Sequence, residues 1–173
     1  MKKIMFNDKF LLTKAVLNGM KTMTRRVIKK EIPIGNWQET EKLLRYKIGE
    51  VVAIAQCYLD IKKPQFDKFG HDVAGNTNKM FVRADLMPHH IKITDVKVER
   101  LQDITNEDCL KEGVWQFCYD TDLFYVSKDI GYAGTVAFPS SREAFWYLIN
   151  KICGKGTWER NQLVEAYTFT RVD

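Results

Sequence analysis

Apolar residues recur at three- and four-residue spacing near the start of the chain, which predicts an amphipathic helix over residues 9–18. Gly19 follows, at the position where a left-handed glycine commonly ends a helix. Residues 22–28 are rich in β-branched side chains and predict a strand. Lys21 therefore lies where a helix gives way to a strand, and such a position allows a side chain to face a cleft.

The middle of the chain combines short predicted elements with one long loop. Residues 38–45 predict a short polar helix, residues 49–58 a largely buried strand, and residues 81–83 another short strand. Residues 60–78 contain proline, glycine and polar side chains, and they predict a surface loop. Loops of this length are uncommon inside a compact domain and often contribute to function.

The predicted strand over residues 91–101 changes phase in its middle. Ile91 and Ile93 are apolar at odd positions, whereas Val96 and Val98 are apolar at even positions. Because a strand alternates its faces with a period of two, this change predicts a β-bulge or sharp bend near residues 94 and 95. Bent strands of this kind suit a small closed barrel better than an open sheet.

Two helices and a strand are predicted in the last third of the chain. Thr105 has the side chain of an N-cap, and acidic residues follow it in the first turn. Residues 114–139 are aromatic and irregular, Ser140 or Ser141 caps the next helix, and residues 162–172 predict the final strand. That helix carries an apolar stripe typical of a core-facing surface, formed by Phe145, Trp146, Leu148, Ile149 and Ile152.

The order of these elements predicts an α+β fold with about five or six strands. One helix precedes the first strand, two more lie late in the chain, and no βαβ repeat occurs. At 173 residues the chain is most simply a single domain over residues 1–173.

Composition is that of an ordinary globular protein, with 45% hydrophobic and 28% charged residues. No apolar run approaches the ~20 residues that span a bilayer, so no membrane partner is expected. The N-terminus turns polar too soon for a signal peptide. The four cysteines are scattered and form no zinc spacing with the histidines, which predicts reduced thiols, no metal site and a cytoplasmic location. The oligomeric state stays open.

The formal net charge of +5 favours an anionic partner. Basic residues cluster over residues 21–30 and again at Lys151, Lys155 and Arg160. Such charges can follow the phosphate backbone of RNA and give salt-dependent binding. A solvated basic face is the alternative interpretation.

Several common chemistries lack their motifs. No Gly-x-Gly-x-x-Gly or Walker loop is present, so no nucleotide cofactor is expected. Ser140 and Ser141 are not flanked by the glycines of a nucleophile elbow. Lys21 with Thr22 and Thr24, joined by a carboxylate from elsewhere, is the remaining candidate site. The alternative is a solvated lysine on a basic turn.

Three segments resemble those of a known family. Residues 19–26, Gly-Met-Lys-Thr-Met-Thr-Arg-Arg, resemble the Gly-x-Lys-Thr-x-Thr-x-Arg motif of ASCH-domain proteins, which are relatives of the PUA RNA-binding domain. Residues 93–114 and 154–161 are similar to two further segments of the longer ASCH proteins of bacteria and phages. The resemblance covers most of the chain except residues 59–80 and 116–139, which it marks as loop insertions.

The resemblance implies a PUA-like small β-barrel with flanking helices and a cleft lined by the first motif. In the small bacterial ASCH enzymes that deacetylate N4-acetylcytidine, a lysine, a threonine three residues later and a distant glutamate carry the reaction. By motif these become Lys21, Thr24 and Glu112. The implied reaction is amide hydrolysis, with Thr24 Oγ1 as nucleophile, Lys21 as its base and Glu112 as proton shuttle. A lysine acts as a base only if burial or a nearby cation, here Arg25 or Arg26, lowers its pKa.

The same comparison makes Thr22, Arg25, Arg26 and Gln56 candidates for binding substrate or nucleic acid. Around Gln56 the chain departs from the longer relatives, because residues 55–58 read Ala-Gln-Cys-Tyr instead of Arg-Glu-Thr-Trp and a charged pair is replaced by a neutral one. A regular strand would point residues 21 and 24 to opposite faces. A shared cleft therefore requires the chain to stay bent through residues 21–23.

Three functions follow as hypotheses. The first is an RNA- or nucleoside-recognising domain that binds through a cleft around Lys21. The second is an amidohydrolase that deacylates nucleosides of the N4-acetylcytidine type, and the third is an interaction protein of a phage or mobile element. The first two require the exit of the first helix and the helix that begins at Thr105 to converge on one pocket.

Overall fold

A five-stranded sheet forms the centre of the fold, in the order β1-β3-β4-β7-β2. The structure is a computed structural model and describes residues 1–33, 35–117, 122–128 and 134–173. The first two strands of the sheet, β1 and β3, pair in parallel, and all other neighbours are antiparallel. The bounds of its strands are β1 (Lys3–Ile4), β2 (Met23–Val27), β3 (Val51–Ile54), β4 (His90–Arg100) and β7 (Leu163–Arg171).

The helices lie between these strands and give the predicted α+β composition. Their bounds are α1 (Leu12–Leu17), α2 (Trp37–Leu43), α3 (Asn106–Lys111), α4 (Ser141–Cys153) and α5 (Thr157–Arg160). Thr105 caps α3 by accepting a hydrogen bond from the Asp108 amide, and Ser140 caps α4 by accepting one from the Glu143 amide. Both predicted N-caps are therefore confirmed. Among the described residues, no helix has the length and apolar character needed to cross a membrane.

The predicted bulge in β4 is present. The register of β4 against β7 shifts between Ile93 and Asp95, where one residue is inserted. Ile91 and Ile93 before the shift and Val96 after it are all buried, with exposed fractions of 0%, 0% and 4%. The bulge thus keeps apolar side chains on the core side although their spacing in the sequence changes phase.

The main core lies between the sheet and helices α1 and α4. Tyr167 and Phe169 of β7 are fully buried in it, as are Val16 of α1 and Phe145 of α4. Trp146 departs from the prediction: it is 41% exposed, and its indole Nε1 donates to Glu159 Oε1 at 2.8 Å. The α4 stripe is therefore a core surface except at this position, where the indole has a polar partner on α5.

Residues 81–83 do not form the predicted strand. Short 3-10 turns occupy Lys79–Phe81 and Ala84–Leu86, and only Val82 between them is buried. The ammonium of Lys3 donates to the carbonyls of Met80 and Val82, at 2.5 and 2.8 Å. A lysine side chain thus satisfies carbonyls that a partner strand would otherwise bind.

The expectation that residues 114–139 are irregular is wrong for much of the described part. Strands β5 (Phe124–Ser127) and β6 (Thr135–Phe138) pair as a separate antiparallel sheet, which brings the described strands to seven rather than five or six. The Phe138 ring lies 5.1 Å from that of Tyr147 on α4. Packing on α4 therefore favours a hairpin that the sequence pattern does not reveal. Residues 118–121 and 129–133 of this range lie outside the described residues.

Residues 60–78 form a loop, as predicted, with one 3-10 turn at Ala74–Asn76. The side chain of Asn76 connects two parts of this loop. Its Oδ1 accepts a hydrogen bond from the Gln65 amide, and its Nδ2 donates one to Asp72 Oδ1. This side chain is only 2% exposed, so the loop is fixed by a buried polar contact.

Candidate functional site

The chain bends where α1 ends and before β2 begins. Gly19 has a φ of +75°, and the amides of Met20 and Lys21 both donate to the Ala15 carbonyl, at 2.9 and 3.0 Å. The next amide, that of Thr22, donates to the Lys111 carbonyl at the end of α3 at 3.0 Å. The bend required for a shared cleft is present, and it joins the exit of α1 to the end of α3.

Lys21 and Glu112 form a buried ion pair at this junction. Lys21 Nζ lies 2.7 Å from Glu112 Oε2, and it also donates to the Glu112 backbone carbonyl at 2.6 Å. The exposed fractions of the two residues are 2% and 4%. Glu112 is the C-cap of α3, so the two segments predicted to converge do meet.

Arg25 joins the same carboxylate to two others. Its Nη1 lies 3.2 Å from Glu112 Oε1, and its Nη2 lies 2.7 Å from Glu99 Oε1 and 2.8 Å from Asp108 Oδ2. The Arg25 side chain is only 1% exposed. One guanidinium thus connects β2 to β4 and α3, and its planar set of donors suits this arrangement.

Burial and charge shift the pKa values of both cations. Burial lowers the pKa of Lys21 below its usual 10.5, against the opposing effect of the Glu112 carboxylate, and the charges of Arg26 and Arg25 lower it further. Burial acts in the same direction on Arg25, but Glu112, Asp108 and Glu99 together raise its pKa. For Lys21 the effect of burial on the pKa thus exceeds that of the Glu112 carboxylate.

Thr24 lines a small cavity next to this pair. The cavity has a volume of about 90 Å³. Thr24 is 5% exposed. The lining residues are Met5, Phe6, Asn7, Leu12, Lys21, Thr24, Arg25, Arg26, Val27, Glu112, Phe145, Leu148, Ile149, Ile152 and Cys153.

Helix α4 forms the apolar wall of the cavity. Phe145, Leu148 and Ile149 contribute its buried part, and Cys153 at the end of the helix is exposed. The cavity therefore opens to solvent near Cys153, with the Lys21–Glu112 pair at its floor. Although Cys153 is exposed as a residue, the surrounding protein partly desolvates its thiol and raises the thiol pKa, so this cysteine is not an activated nucleophile.

Arg26 and Asn7 bring unpartnered polar atoms to the cavity. Arg26 Nη2 donates to the Met5 carbonyl just after β1 at 2.5 Å, but its buried Nε has no hydrogen-bond partner among the described residues. The Arg26 guanidinium carbon lies 5.9 Å from the centre of the Phe6 ring, and burial lowers the pKa of the side chain. Asn7 Oδ1 is also buried without a partner in the described part of the chain.

The predicted site residues thus separate into two groups. Lys21, Thr24 and Glu112 line one cavity together with Arg25 and Arg26. Thr22 and Gln56 do not line it. The Thr22 amide donates to the Lys111 carbonyl, and its carbonyl accepts from the Phe169 amide. Gln56 is 9% exposed, and its buried Oε1 has no hydrogen-bond partner among the residues that the structure describes.

Sequence reasoning missed three polar residues of the site. Glu99 and Asp108 lie within the second segment that resembles ASCH proteins, and both pair with Arg25 of the first segment. The two adjacent arginines in the first segment are the one sequence signal that acidic partners are required. Asn7 lies in no motif, and no signal in the sequence distinguishes it from other asparagines.

Among the described residues, no group of His, Cys, Asp or Glu side chains could hold a metal ion. No model of a known protein family, no curated protein and no solved structure matches the chain. What the cavity can do chemically therefore follows from its own side chains.

Proposed function

We propose that this protein is an amidohydrolase that removes a small acyl group from a nucleoside of the N4-acetylcytidine type. The observation that carries the proposal is the grouping of Lys21, Thr24 and Glu112 around one small cavity. A hydroxyl, an amine of lowered pKa and a carboxylate are the groups that amide cleavage through a covalent acyl-enzyme needs.

The proposed reaction proceeds in two stages. Thr24 Oγ1 attacks the acyl carbon while its proton passes to Lys21 Nζ, and the C–N bond then breaks as a proton returns, through Glu112, to the departing nitrogen. Water next attacks the acyl-threonine ester, the bond from the acyl carbon to Thr24 Oγ1 breaks, and the proton of the water passes through the same pair to Thr24 Oγ1. The net change is one amide and one water converted to a carboxylic acid and an amine.

The size of the cavity favours a short acyl group. An apolar protein cavity of about 150 Å³ holds a benzene molecule. A cavity of about 90 Å³ has room for an acetyl-sized group but not for a pyrimidine with its substituent. The acyl group would enter between Thr24 and the wall of α4, and the base would remain at the mouth near Cys153.

A PUA-like barrel is part of this proposal. The two edge strands of the sheet, β1 and β2, approach each other where Arg26 Nη2 donates to the Met5 carbonyl. The bulge in β4 bends the sheet in the manner that rolled sheets require. Both observations support a sheet rolled around the cavity.

Recognition of RNA is a second proposal, carried by a cation at the mouth. Lys29 is exposed just beyond β2, and its charge lowers the pKa of the Cys153 thiol at the rim, against the larger effect of burial. A phosphate next to an acylated base would meet this ammonium. Arg25 is buried and paired with three carboxylates, and Arg26 is only half-buried, so the exposed Lys29 is the better candidate for a phosphate contact.

The test is release of acetate from N4-acetylcytidine by the purified protein. Thr24→Val is expected to abolish release, and Lys21→Met to reduce it at least 100-fold, as loss of a general base does. Thr168→Val is the matched control, because Thr168 lies on the neighbouring strand β7 with its side chain on the opposite face of the sheet. Release that survives Thr24→Val, or no release by the natural sequence, would refute the hydrolase.

The same purified protein tests the RNA proposal. Binding of a single-stranded RNA is expected to weaken steeply as the salt concentration rises. Lys29→Ala is expected to reduce the slope of the logarithm of the binding constant against the logarithm of salt concentration by about one. Lys92→Ala, an exposed lysine of β4, serves as the control. A slope that is unchanged by Lys29→Ala would exclude the proposed phosphate contact.

A further inference from the structure

Two buried polar atoms in the cavity lack the partners that folded proteins normally provide. Arg26 Nε is a donor and Asn7 Oδ1 is an acceptor, and both are buried without a hydrogen bond among the described residues. Leaving such atoms unsatisfied is costly, and native structures contain few of them. Both side chains line the cavity that contains Thr24.

Arg26 is held differently from its neighbour Arg25. Arg25 contacts the carboxylates of Glu99, Asp108 and Glu112, whereas Arg26 forms no ion pair within the described part of the chain. Arg26 lies two residues after Thr24 on β2, so the two side chains project from the same face of the strand. A cation with an open donor is therefore directed to the side of the cavity where Thr24 would attack.

Asn7 occupies a helix N-cap without capping the helix. It precedes the 3-10 helix Asp8–Phe10, yet its side chain makes no capping hydrogen bond. Asparagine is favoured at this position because its side-chain oxygen usually accepts from the first amides. Here Asn7 lines the cavity instead, and its Oδ1 is therefore available to accept a hydrogen bond from a bound molecule.

We propose that Arg26 and Asn7 bind the two sides of the scissile amide, with Arg26 donating to the carbonyl oxygen and Asn7 accepting from the amide N–H. A secondary amide carries one acceptor and one donor on adjacent atoms, and it therefore satisfies both open atoms at once. The inference rests on the proposed hydrolase and gives it a substrate requirement: an N-acyl group whose nitrogen retains a hydrogen.

Arg26 is then a catalytic residue as well as a binding residue. When Thr24 Oγ1 forms a bond to the acyl carbon, the carbonyl π electrons move to oxygen, and the Arg26 guanidinium faces the resulting oxyanion. A preorganised donor of this kind stabilises the transition state more than the substrate. Asn7 contacts only the leaving nitrogen, so its effect falls on binding and orientation.

The kinetic test separates the two roles on N4-acetylcytidine. Arg26→Ala is expected to lower kcat about 100- to 1,000-fold with little change in KM, as loss of an oxyanion donor does. Asn7→Ala is expected to raise KM about three- to tenfold with little change in kcat. Arg100→Ala and Asn36→Ala are the matched controls, since Arg100 is exposed on β4 and Asn36 caps α2.

Two further measurements distinguish contact with substrate from support of the fold. Millimolar guanidinium is expected to restore part of the Arg26→Ala activity by occupying the vacated position, and a structural role would not respond. Asn7→Ala is expected to leave the hydrolysis of an ester such as 4-nitrophenyl acetate unchanged, because an ester has no N–H group that could donate a hydrogen bond to Asn7 Oδ1. The inference would be overturned if Asn7→Ala lost equal activity on the amide and the ester, or if guanidinium did not restore activity to Arg26→Ala.

A binding measurement covers the case in which the proposed hydrolase fails. N4-Acetylcytidine is titrated into Thr24→Val, and into the same variant combined with Asn7→Ala or Arg26→Ala. Binding that weakens in both combinations without any turnover would refute the hydrolase and keep the recognition pair. Turnover by the natural sequence that neither substitution alters, or no binding at all, would refute the pair.

Discussion

Lys21 Nζ lies 2.7 Å from Glu112 Oε2, although 91 residues separate the two in the chain. The contact depends on two backbone features, the bend after Gly19 and the end of α3 at Glu112. The hydrogen bond from the Thr22 amide to the Lys111 carbonyl holds both segments in register next to the pair. The backbone therefore positions both residues of the ion pair.

Removing one partner of this pair is expected to destabilise the protein strongly. Lys21→Met should lower the free energy of unfolding by about 3–5 kcal/mol, because it leaves a buried carboxylate short of a partner. Lys2→Met breaks the Lys2–Glu50 pair, whose side chains are 51% and 23% exposed, and it should cost less than about 1 kcal/mol. Urea denaturation at neutral pH measures both, and similar losses in the two variants would contradict the assigned importance of burial.

The lowered pKa of Lys21 predicts how stability and activity depend on pH. Burial makes the folded protein hold this proton less tightly than the unfolded chain, whose lysine pKa is 10.5. Between the folded-state pKa and 10.5 the unfolded state binds more protons, so Lys21 makes stability rise with pH in that window and Lys21→Met removes the rise. Hydrolysis should increase over the same range, because only the neutral amine is a base.

Glu112→Gln provides the check on this assignment. The Glu112 carboxylate raises the pKa of Lys21, so its removal should move the Lys21 titration to lower pH. NMR of protein labelled at the lysine side chains follows that titration directly, with Lys21→Met identifying the signal. A titration of Lys21 at or above 10.5 would exclude it as the base at neutral pH.

The parts of this site that the sequence predicts are those set by local geometry. Gly19 and the phase change at Ile93 each impose a backbone feature that no distant contact alters, and both are present. The partners of Arg25 depend on how β4 and α3 pack against β2, which spacing along the chain does not reveal. Asn7 is harder still, because it lies in no motif and only the fold shows that its side chain makes no cap bond to the 3-10 helix Asp8–Phe10.

Arg25 is expected to be the residue of the site on which stability depends most. Arg25→Leu leaves Glu99, Asp108 and Glu112 close together without their shared cation, and should cost about 3–5 kcal/mol of unfolding free energy. Arg25→Lys should recover little, because one ammonium does not reproduce the planar set of donors.

Arg83→Leu is the matched control for Arg25. Arg83 pairs with Asp85 on the surface, where the side chains are 70% and 58% exposed. Its substitution should change stability little, because solvent screens an exposed ion pair. Chemical denaturation measures all three variants, and a loss of stability in Arg25→Leu no larger than that in Arg83→Leu would contradict the assigned role of the shared guanidinium.

Gly113 is expected to tolerate a side chain less well than Gly19 does. Both have positive φ, +106° and +75°, so alanine adds strain of about 1–2 kcal/mol at each. At Gly19 an added Cβ meets no atom within 4 Å, whereas at Gly113 it would lie 2.7 Å from Leu12 Cδ2. Gly113→Ala must therefore displace a buried leucine of the cavity wall, and it should lower the melting temperature more than Gly19→Ala. Equal melting temperatures would show that Leu12 moves at no cost.

Asn7 and Asn36 are expected to respond oppositely when each is replaced by alanine. Asn36 caps α2 by accepting from the Glu39 amide, so Asn36→Ala should lower the free energy of unfolding by about 1 kcal/mol. Asn7 makes no cap bond, and its buried Oδ1 has no hydrogen-bond partner in the described part of the chain, so Asn7→Ala should leave that free energy unchanged or raise it. Thermal and urea denaturation of the two variants, measured without substrate, check this difference. If replacing Asn7 stabilises the protein but weakens substrate binding, then Asn7 serves binding and not folding. A loss of stability in Asn7→Ala equal to that in Asn36→Ala would instead assign Asn7 an ordinary structural role.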